Sequence, residues 1–261
     1  MKVLIAPDLG RLEVGEAQVP AIGPGPARVR TRVSAVSAGT EKRKLYESDQ
    51  GPSDPRDPWP AVGGFGYMAA GVVETVGDGV DPGLVGRRVF AGRRWGAHRE
   101  WIDTEAYSIV PLPDDLPWVH GACSYWAVPP LLGLLGSAPR YYDDAAVVGL
   151  GPLGLMAVQL LGHAARRVVA VDVVAARRAL AARFGALVAE PGEDLADRVR
   201  TLLPDGPEVV LEVSGSQRGL ESALAIVRPK GRVALVGTQV PLSQFELFWP
   251  LQHSGAQIVP L

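Results

Sequence analysis

Hydrophobic and polar positions along this chain follow two regimes. Over residues 1–115, short β-branched runs such as "ARVRTRVSAVSAGTE", "MAAGVVETVG", "GRRVFAG" and "EWIDTEAYSIVPLP" alternate with turns bearing glycine and proline. Runs of this length and spacing predict a mostly β, partly closed sheet. Residues 47–64, "ESDQGPSDPRDPWPAVGG", carry proline, aspartate and glycine throughout and predict a long surface loop of the kind that often holds function. From about residue 117 the pattern becomes helical: "WVHGACSYWAVPPLLGLLGSA" is apolar with helical spacing, broken or kinked at Pro129 and Pro130. Beyond it, "AAVVGL", "RVVAVD", "PEVVLEVSG" and "GRVALVG" read as buried strands. "GPLGLMAVQLLGHA", "VAARRALAARFGA", "DLADRVRTLL" and "GLESALAIVRP" read as helices between and around them. Strict β-α alternation with buried strands predicts an α/β fold with a doubly wound parallel sheet. The change of texture divides the chain into residues 1–125 and 126–261.

Composition narrows the class. Hydrophobic residues make up 47%, charged residues 21%, and the formal net charge is −2. That balance describes a globular protein and gives no basis for a nucleic-acid or membrane-surface partner. The single cysteine, Cys123, excludes an intrachain disulfide and a cysteine-rich zinc site, and it fits a reducing cytoplasm. "MKVLIA" is too short for a signal sequence, and no apolar run reaches the ~18 residues of a spanning helix.

Gly149, Gly151 and Gly154 form G-x-G-x-x-G directly after a predicted strand and at the start of a predicted helix. The first glycine permits a tight turn, the second lets a pyrophosphate approach the backbone, and the third packs helix on strand. The helix start, through Pro152 and Leu153, offers free amides and a partial positive charge to phosphate. Asp172 ends the next strand, where a carboxylate can take both ribose hydroxyls. It favours NAD, because it repels a 2′-phosphate. Arg177 and Arg178 follow closely and could pair with that phosphate, so NADP stays open.

At this point the chain resembles the medium-chain dehydrogenase/reductase family, whose alcohol-dehydrogenase-like members place a GroES-like β domain before a Rossmann domain. "VRTRVSAVSAGTE" (29–41), "GYMAAGVVETVG" (66–77), "GRRVFAGRRWGAHREWI" and "EVVLEVSGSQRGLESALAIVRPKGRVALVG" are similar to family segments in the family's order. The resemblance implies a nicotinamide at the C-terminal ends of the parallel strands, near Val213, Ser214, Gly237 and Thr238. It also implies a metal site that this sequence has lost. Ala38 stands where the family has a zinc-ligating cysteine, and Tyr67 and Met68 stand at its histidine and glutamate. No zinc is therefore expected. Thr40 matches the hydroxyl residue that relays protons in zinc members, and Tyr67 would point its phenol into the same cleft. Their alternative readings are a strand-end threonine and a core tyrosine. Glu41 matches an aspartate behind the family's metal, and its other reading is a loop anchor. His98 resembles a histidine that is usually structural but is kept as a third catalytic candidate. His120, His163 and His253 are expected at the surface or in packing.

"SAGTE" without zinc ligands is similar to biosynthetic members of the bacteriochlorophyllide dehydrogenase type, which oxidise a secondary alcohol to a ketone. The expected activity is thus a zinc-independent, NAD(P)-dependent oxidoreductase acting on a small-molecule alcohol/ketone pair in specialised biosynthesis. A non-redox catalyst of cyclase or lyase type and a non-catalytic nucleotide-binding or scaffold protein remain as alternatives. Trp59, Phe65, Tyr67, Trp95, Trp101, Tyr125 and Trp126 are candidates for an apolar substrate wall, with core packing as the other reading. The family continues beyond the segment resembling "GAQIVPL", so a shortened chain with a more open cleft is expected. Residues 256–261 would form an edge strand suited to a homodimer seam.

Overall fold

A computed structural model describes residues 1–46, 61–62, 64–92, 96–237, 241–243, 245 and 248–260. Most of the 47–64 loop, together with Trp59, Trp95 and Thr238, lies outside the described residues. The chain divides into two compact units, Met1–Tyr125 and Trp126–Leu261.

In the first unit, β1 (Lys2–Asp8) pairs antiparallel with β2 (Arg11–Glu16). β3 (Pro26–Ala35) leads into α1 (Ala38–Tyr46), and β4 (Ala61–Val62) returns to pair with β1. β5 (Met68–Val76), β6 (Arg88–Ala91), β7 (Trp101–Glu105) and β8 (Val110–Pro111) join β3 in a five-stranded antiparallel sheet of order β7-β3-β5-β6-β8. α2 (Trp118–Cys123) closes the unit. Val29, Val73 and Val89 are buried from β3, β5 and β6, as alternation in a sheet with one covered face requires.

The run "SAVSAGTE", written in the sequence as the end of a strand, instead leaves β3 at Ala35 and opens α1. The reason is local. Glu41 donates its backbone N–H to the Ser37 carbonyl (2.8 Å), and its carboxylate accepts the Ser37 N–H (2.7 Å). This reciprocal closure satisfies helix-start groups in the manner of a capping box and ends the strand. Thr40 is therefore a first-turn helical residue.

The second unit begins with α3 (Val128–Ser137). Pro129 and Pro130 fall in its first turn, where the missing N–H costs nothing, so they divide the apolar run and leave α3 intact. β9 (Asp144–Val148), α4 (Pro152–Gly162), β10 (Arg167–Val171), α5 (Ala175–Arg183) and β11 (Leu187–Ala189) follow. Then come α6 (Leu195–Leu202), β12 (Val209–Glu212), α7 (Gln217–Ile226), β13 (Arg232–Leu235) and β14 (Gln257–Val259). All six strands are parallel, in the order β11-β10-β9-β12-β13-β14. Two apolar layers cover the sheet: Val148, Val169, Val210 and Leu220 belong to one, and Val147, Leu150, Leu161 and Leu211 to the other. Because the chain winds outward from β9 in one direction and from β12 in the other, a crevice opens where the strand order reverses.

The N-terminal ends of these strands carry an ion-pair cluster. Arg166 and Arg167 both donate to the Asp144 carboxylate, at 2.5–3.0 Å. Arg228 pairs with Glu208 (2.7 Å) and Arg232 with Asp143 (3.2 Å). Burial works to raise the Asp144 carboxyl, but the hydrogen bonds from Arg167 and Arg166 outweigh it and hold the group below the usual carboxylate range. Among the described residues no helix is long and apolar enough to cross a membrane.

Candidate functional site

The glycine turn lies at the C-terminal end of β9. Gly149 has φ +93°, and a side chain there would meet the Ser214 backbone nitrogen at 2.7 Å. Gly154 faces the Gly149 carbonyl so closely that a Cβ has no room, which fixes α4 against the strand. At Gly151 a Cβ would meet nothing within 4 Å, so open space adjoins the backbone of the turn. Gly151 caps α4 without help from any side chain, and Pro152 occupies the first turn. First-turn amides such as those of Leu153 and Gly154 have no intrahelical acceptor, and they stand at the positive end of the helix dipole. This cradle fits a pyrophosphate.

Asp172 follows β10 and is 7% exposed. One carboxylate oxygen accepts the Leu150 N–H (2.6 Å) and the other accepts the Val174 N–H (2.7 Å). The residue thus ties the glycine turn to the loop before α5. Each oxygen keeps a further lone pair for a ribose hydroxyl. Arg177 Nη1 stands 3.6 Å from Asp172 and is half exposed. Arg178 is committed elsewhere, donating to the Asp172 carbonyl (2.7 Å) and to Glu190 (3.0 Å). Arg177 also lines an apolar cavity of about 370 Å³ with Trp126, Leu150, Gly151, Pro152 and Phe184.

Across the crevice, Val213 donates its N–H to the Val148 carbonyl (2.8 Å). Glu212, fully buried, accepts the Ser214 N–H (2.9 Å), the Ser214 hydroxyl and the Gly215 N–H (3.2 Å). Gly237 donates to the Glu212 carbonyl (2.9 Å). Of the residues named from sequence at these strand ends, Ser214 and Gly237 are bonded to Glu212, and Val213 is bonded to Val148 of β9. Glu212 is not among the residues expected from the sequence, although an acid inside a predicted buried strand is itself a signal.

A second cluster lies in the first unit, where β3 meets α1. Tyr67 donates its phenol O–H to Ser37 Oγ (2.7 Å), and Ser37 Oγ donates to Thr40 Oγ1 (3.3 Å). Behind them, Glu41 holds the Ser37 amide with one oxygen and His98 Nε2 with the other (2.8 Å). His98 Nδ1 reaches Ser34 Oγ, also at 2.8 Å. The His98 ring stacks so closely on Gly66 that a Cβ there would sit 2.8 Å from it. Tyr67 and Thr40 are half buried, whereas Ser37 and Glu41 are buried. The structure thus brings Thr40, Tyr67 and His98 into one network, with Ser37 as the member that sequence reasoning overlooked.

The remaining candidates disperse. Phe65 packs with Ala6 and Leu45 in the core, Trp101 bonds Glu74 through its indole N–H, and Tyr125 lies between Tyr67 and Phe90. His120, His163 and His253 are exposed. Cys123 is half buried, and burial pushes its thiol up, away from reactivity.

The donors at the second cluster do not fit a tetrahedral zinc. Ala38 and Met68 offer no ligand of the required kind, Tyr67 is bonded to Ser37, and His98 is bonded to Glu41 and Ser34. Among the described residues no three His, Cys, Asp or Glu side chains are grouped to hold a metal.

Comparison with known proteins agrees with this architecture. Residues 152–255 match a family model described as zinc-binding dehydrogenase. An uncharacterized zinc-type alcohol dehydrogenase-like protein, YphC, of Escherichia coli K12 is 31% identical over 67% of this chain and 50% of its own length. L-threonine 3-dehydrogenase of Anaeromyxobacter sp. is 31% identical over 86% of this chain and 73% of its own. Among solved structures, galactitol-1-phosphate dehydrogenase from E. coli superposes with a TM-score of 0.86 at 21% identity, over all of this chain and 82% of its own. The match thus spans about half the length of YphC and more of the others. The chain belongs to the medium-chain dehydrogenase/reductase family, shown by its 31% identity to the Anaeromyxobacter relative over most of both chains.

Proposed function

We propose that this chain is a zinc-independent oxidoreductase that interconverts a secondary alcohol and a ketone with a nicotinamide dinucleotide, in specialised biosynthesis. The observation that carries the reading is the coexistence of two features. The glycine cradle with Asp172 suits a dinucleotide, and Tyr67, bonded to Ser37, stands at the position where the resemblance puts a metal-ligating histidine. The cradle residues, from Gly149 to Gly154, would hold the pyrophosphate, and Asp172 the adenosine ribose. Val213, Ser214, Gly237 and Thr238 are the proposed nicotinamide rim. The buried carboxylate of Asp172 favours NAD, and Arg177 beside it leaves NADP as the second cofactor to test. The bound nicotinamide supplies or accepts the hydride. The chain supplies orientation and moves the proton at the substrate oxygen, through Tyr67 and Thr40 with His98 behind them.

The experiment is a titration of the purified protein with NADH and NADPH, followed by nicotinamide fluorescence and thermal shift, with zinc measured by mass spectrometry. Saturable binding of NADH in preference to NADPH, with well under one zinc per chain, is expected. Failure to bind either nucleotide refutes the redox reading and favours a non-redox catalyst or scaffold. Stoichiometric zinc refutes zinc independence.

A further inference from the structure

Glu212 is the last residue of β12, and none of it is exposed. Burying an acid is costly unless donors meet it. The loop that follows the strand supplies them. One carboxylate oxygen accepts the Ser214 N–H (2.9 Å) and the Ser214 hydroxyl, and the other accepts the Gly215 N–H (3.2 Å). Ser214 Oγ accepts the Ser216 N–H (3.1 Å) and lies 2.9 Å from Ser216 Oγ. Ser216 Oγ then caps α7 by accepting the Gly219 N–H (3.0 Å). A run of hydrogen bonds thus links the buried acid through the loop to the start of the next helix. Glycines press on the same loop. A Cβ on Gly149 would lie 2.7 Å from the Ser214 nitrogen, one on Gly219 would collide with Ser214 Oγ, and one on Gly237 with the Gly215 nitrogen. Residues 213–216 are therefore held by Glu212 and packed against the β9 turn, α7 and the residue Gly237 beyond β13.

We propose that Glu212 is a positioning residue for the nicotinamide half of the dinucleotide, acting through Ser214 and Gly215. The proposal rests on the cofactor reading above and concerns the second unit alone. Strand order gives the direction. Asp172 follows β10 and the glycine cradle follows β9, so a dinucleotide with its ribose on one and its pyrophosphate on the other continues over the next strands, β12 and β13. The loop 213–216 and Gly237 stand at the ends of those strands. What the two places offer differs. The cradle presents first-turn amides to phosphate. At the loop, the Glu212 carboxylate has taken the Ser214 and Gly215 amides, and its carbonyl has taken those of Val236 (2.8 Å) and Gly237 (2.9 Å). A phosphate finds these four amides already engaged, whereas the flat nicotinamide meets a surface whose shape is fixed. Having no exposed surface, Glu212 acts through the loop and not by contact.

The test titrates wild type, Glu212→Gln and Ser214→Ala with NADH and with ADP-ribose, which lacks the nicotinamide, by calorimetry. Wild type should bind NADH more tightly than ADP-ribose. Glutamine keeps the size of the side chain but sets an NH₂ against one of the loop's donors. In Glu212→Gln the NADH affinity should fall on the order of tenfold, as for loss of one hydrogen bond to a charged group, while that of ADP-ribose stays within about twofold. Ser214→Ala breaks the link to Ser216 but spares both amide bonds to the acid, so a smaller loss of about threefold, again for NADH alone, is expected. The ratio of the two affinities is the readout, because a general loss of stability lowers both together. Should Glu212→Gln not fold, Ser214→Ala decides by the same ratio. A ratio unchanged from wild type overturns the proposal and leaves the dinucleotide reading intact. So does a wild type that binds ADP-ribose as tightly as NADH. A wild type that binds neither overturns the cofactor reading and the proposal with it.

Discussion

Asp172→Asn separates two duties that one carboxylate performs. In the folded chain each oxygen accepts one backbone amide, Leu150 at 2.6 Å and Val174 at 2.7 Å, at a residue only 7% exposed. Asparagine can keep one of these bonds through its carbonyl oxygen, but its NH₂ then faces the other N–H, donor against donor. Losing one charge-assisted hydrogen bond and leaving its buried donor unsatisfied costs about 2–4 kcal/mol. For a unit of this size that corresponds to a fall in Tm of roughly 5–15 °C. The assay is calorimetric unfolding with and without NADH, beside a fluorescence titration of NADH. We expect a lower Tm in the free protein and a weakened NADH affinity together, because the glycine turn and the ribose site share the same brace. A variant that unfolds within about 2 °C of wild type, whatever its affinity for NADH, would refute the argument that this carboxylate holds the turn.

Two further outcomes follow from the same sheet. Asp144 is held below the ordinary carboxylate value of 3.8 by its two arginines, despite burial. Its folded pKa is depressed, so its stabilisation is complete above the unfolded value and declines as pH falls through the folded one. The difference in Tm between wild type and Asp144→Asn should be flat from pH 7 to about 5 and shrink below about 4; a difference that grows on acidification contradicts this. At the other side of the sheet, β14 is the outermost strand, and we propose it as a homodimer seam in which Ile258→Lys, a charge on the edge, yields monomers. Sedimentation equilibrium checks this, and a wild type that is already monomeric disproves it.

Much of the second unit was legible because its signals are local. A β-branched run, a glycine turn and an apolar helix each declare themselves within a dozen residues, and Asp172 closes the pattern. The parallel order follows once strands alternate with helices. The start of α1 was not legible in the same way. "VRTRVSAVSAGTE" continues the strand's alternation of small and branched residues, and nothing nearby announces the break at Ala35. The decision comes from Glu41, whose carboxylate closes on Ser37 and is held by a histidine 57 positions away. A pairing at that separation leaves no periodic trace. Glu212 was hidden for a related reason: its partners are the amides of the turn that follows it, which acquire their positions only when the strand is buried.

The parallel sheet also separates its charges by end. At the N-terminal rim, arginines and carboxylates neutralise one another side chain to side chain. At the C-terminal rim, Asp172 and Glu212 are met by main-chain N–H groups and by the Ser214 hydroxyl. The amide donors of Leu150, Val174 and Ser214 persist whatever side chain those positions carry, whereas Asp172 and the glycines Gly149, Gly154 and Gly237 do not tolerate exchange. The first rim depends on side-chain identity and can be strengthened or weakened by exchange of an arginine. Exchange of an arginine at the first rim would therefore change thermal tolerance without touching the turn at the opposite end of the sheet.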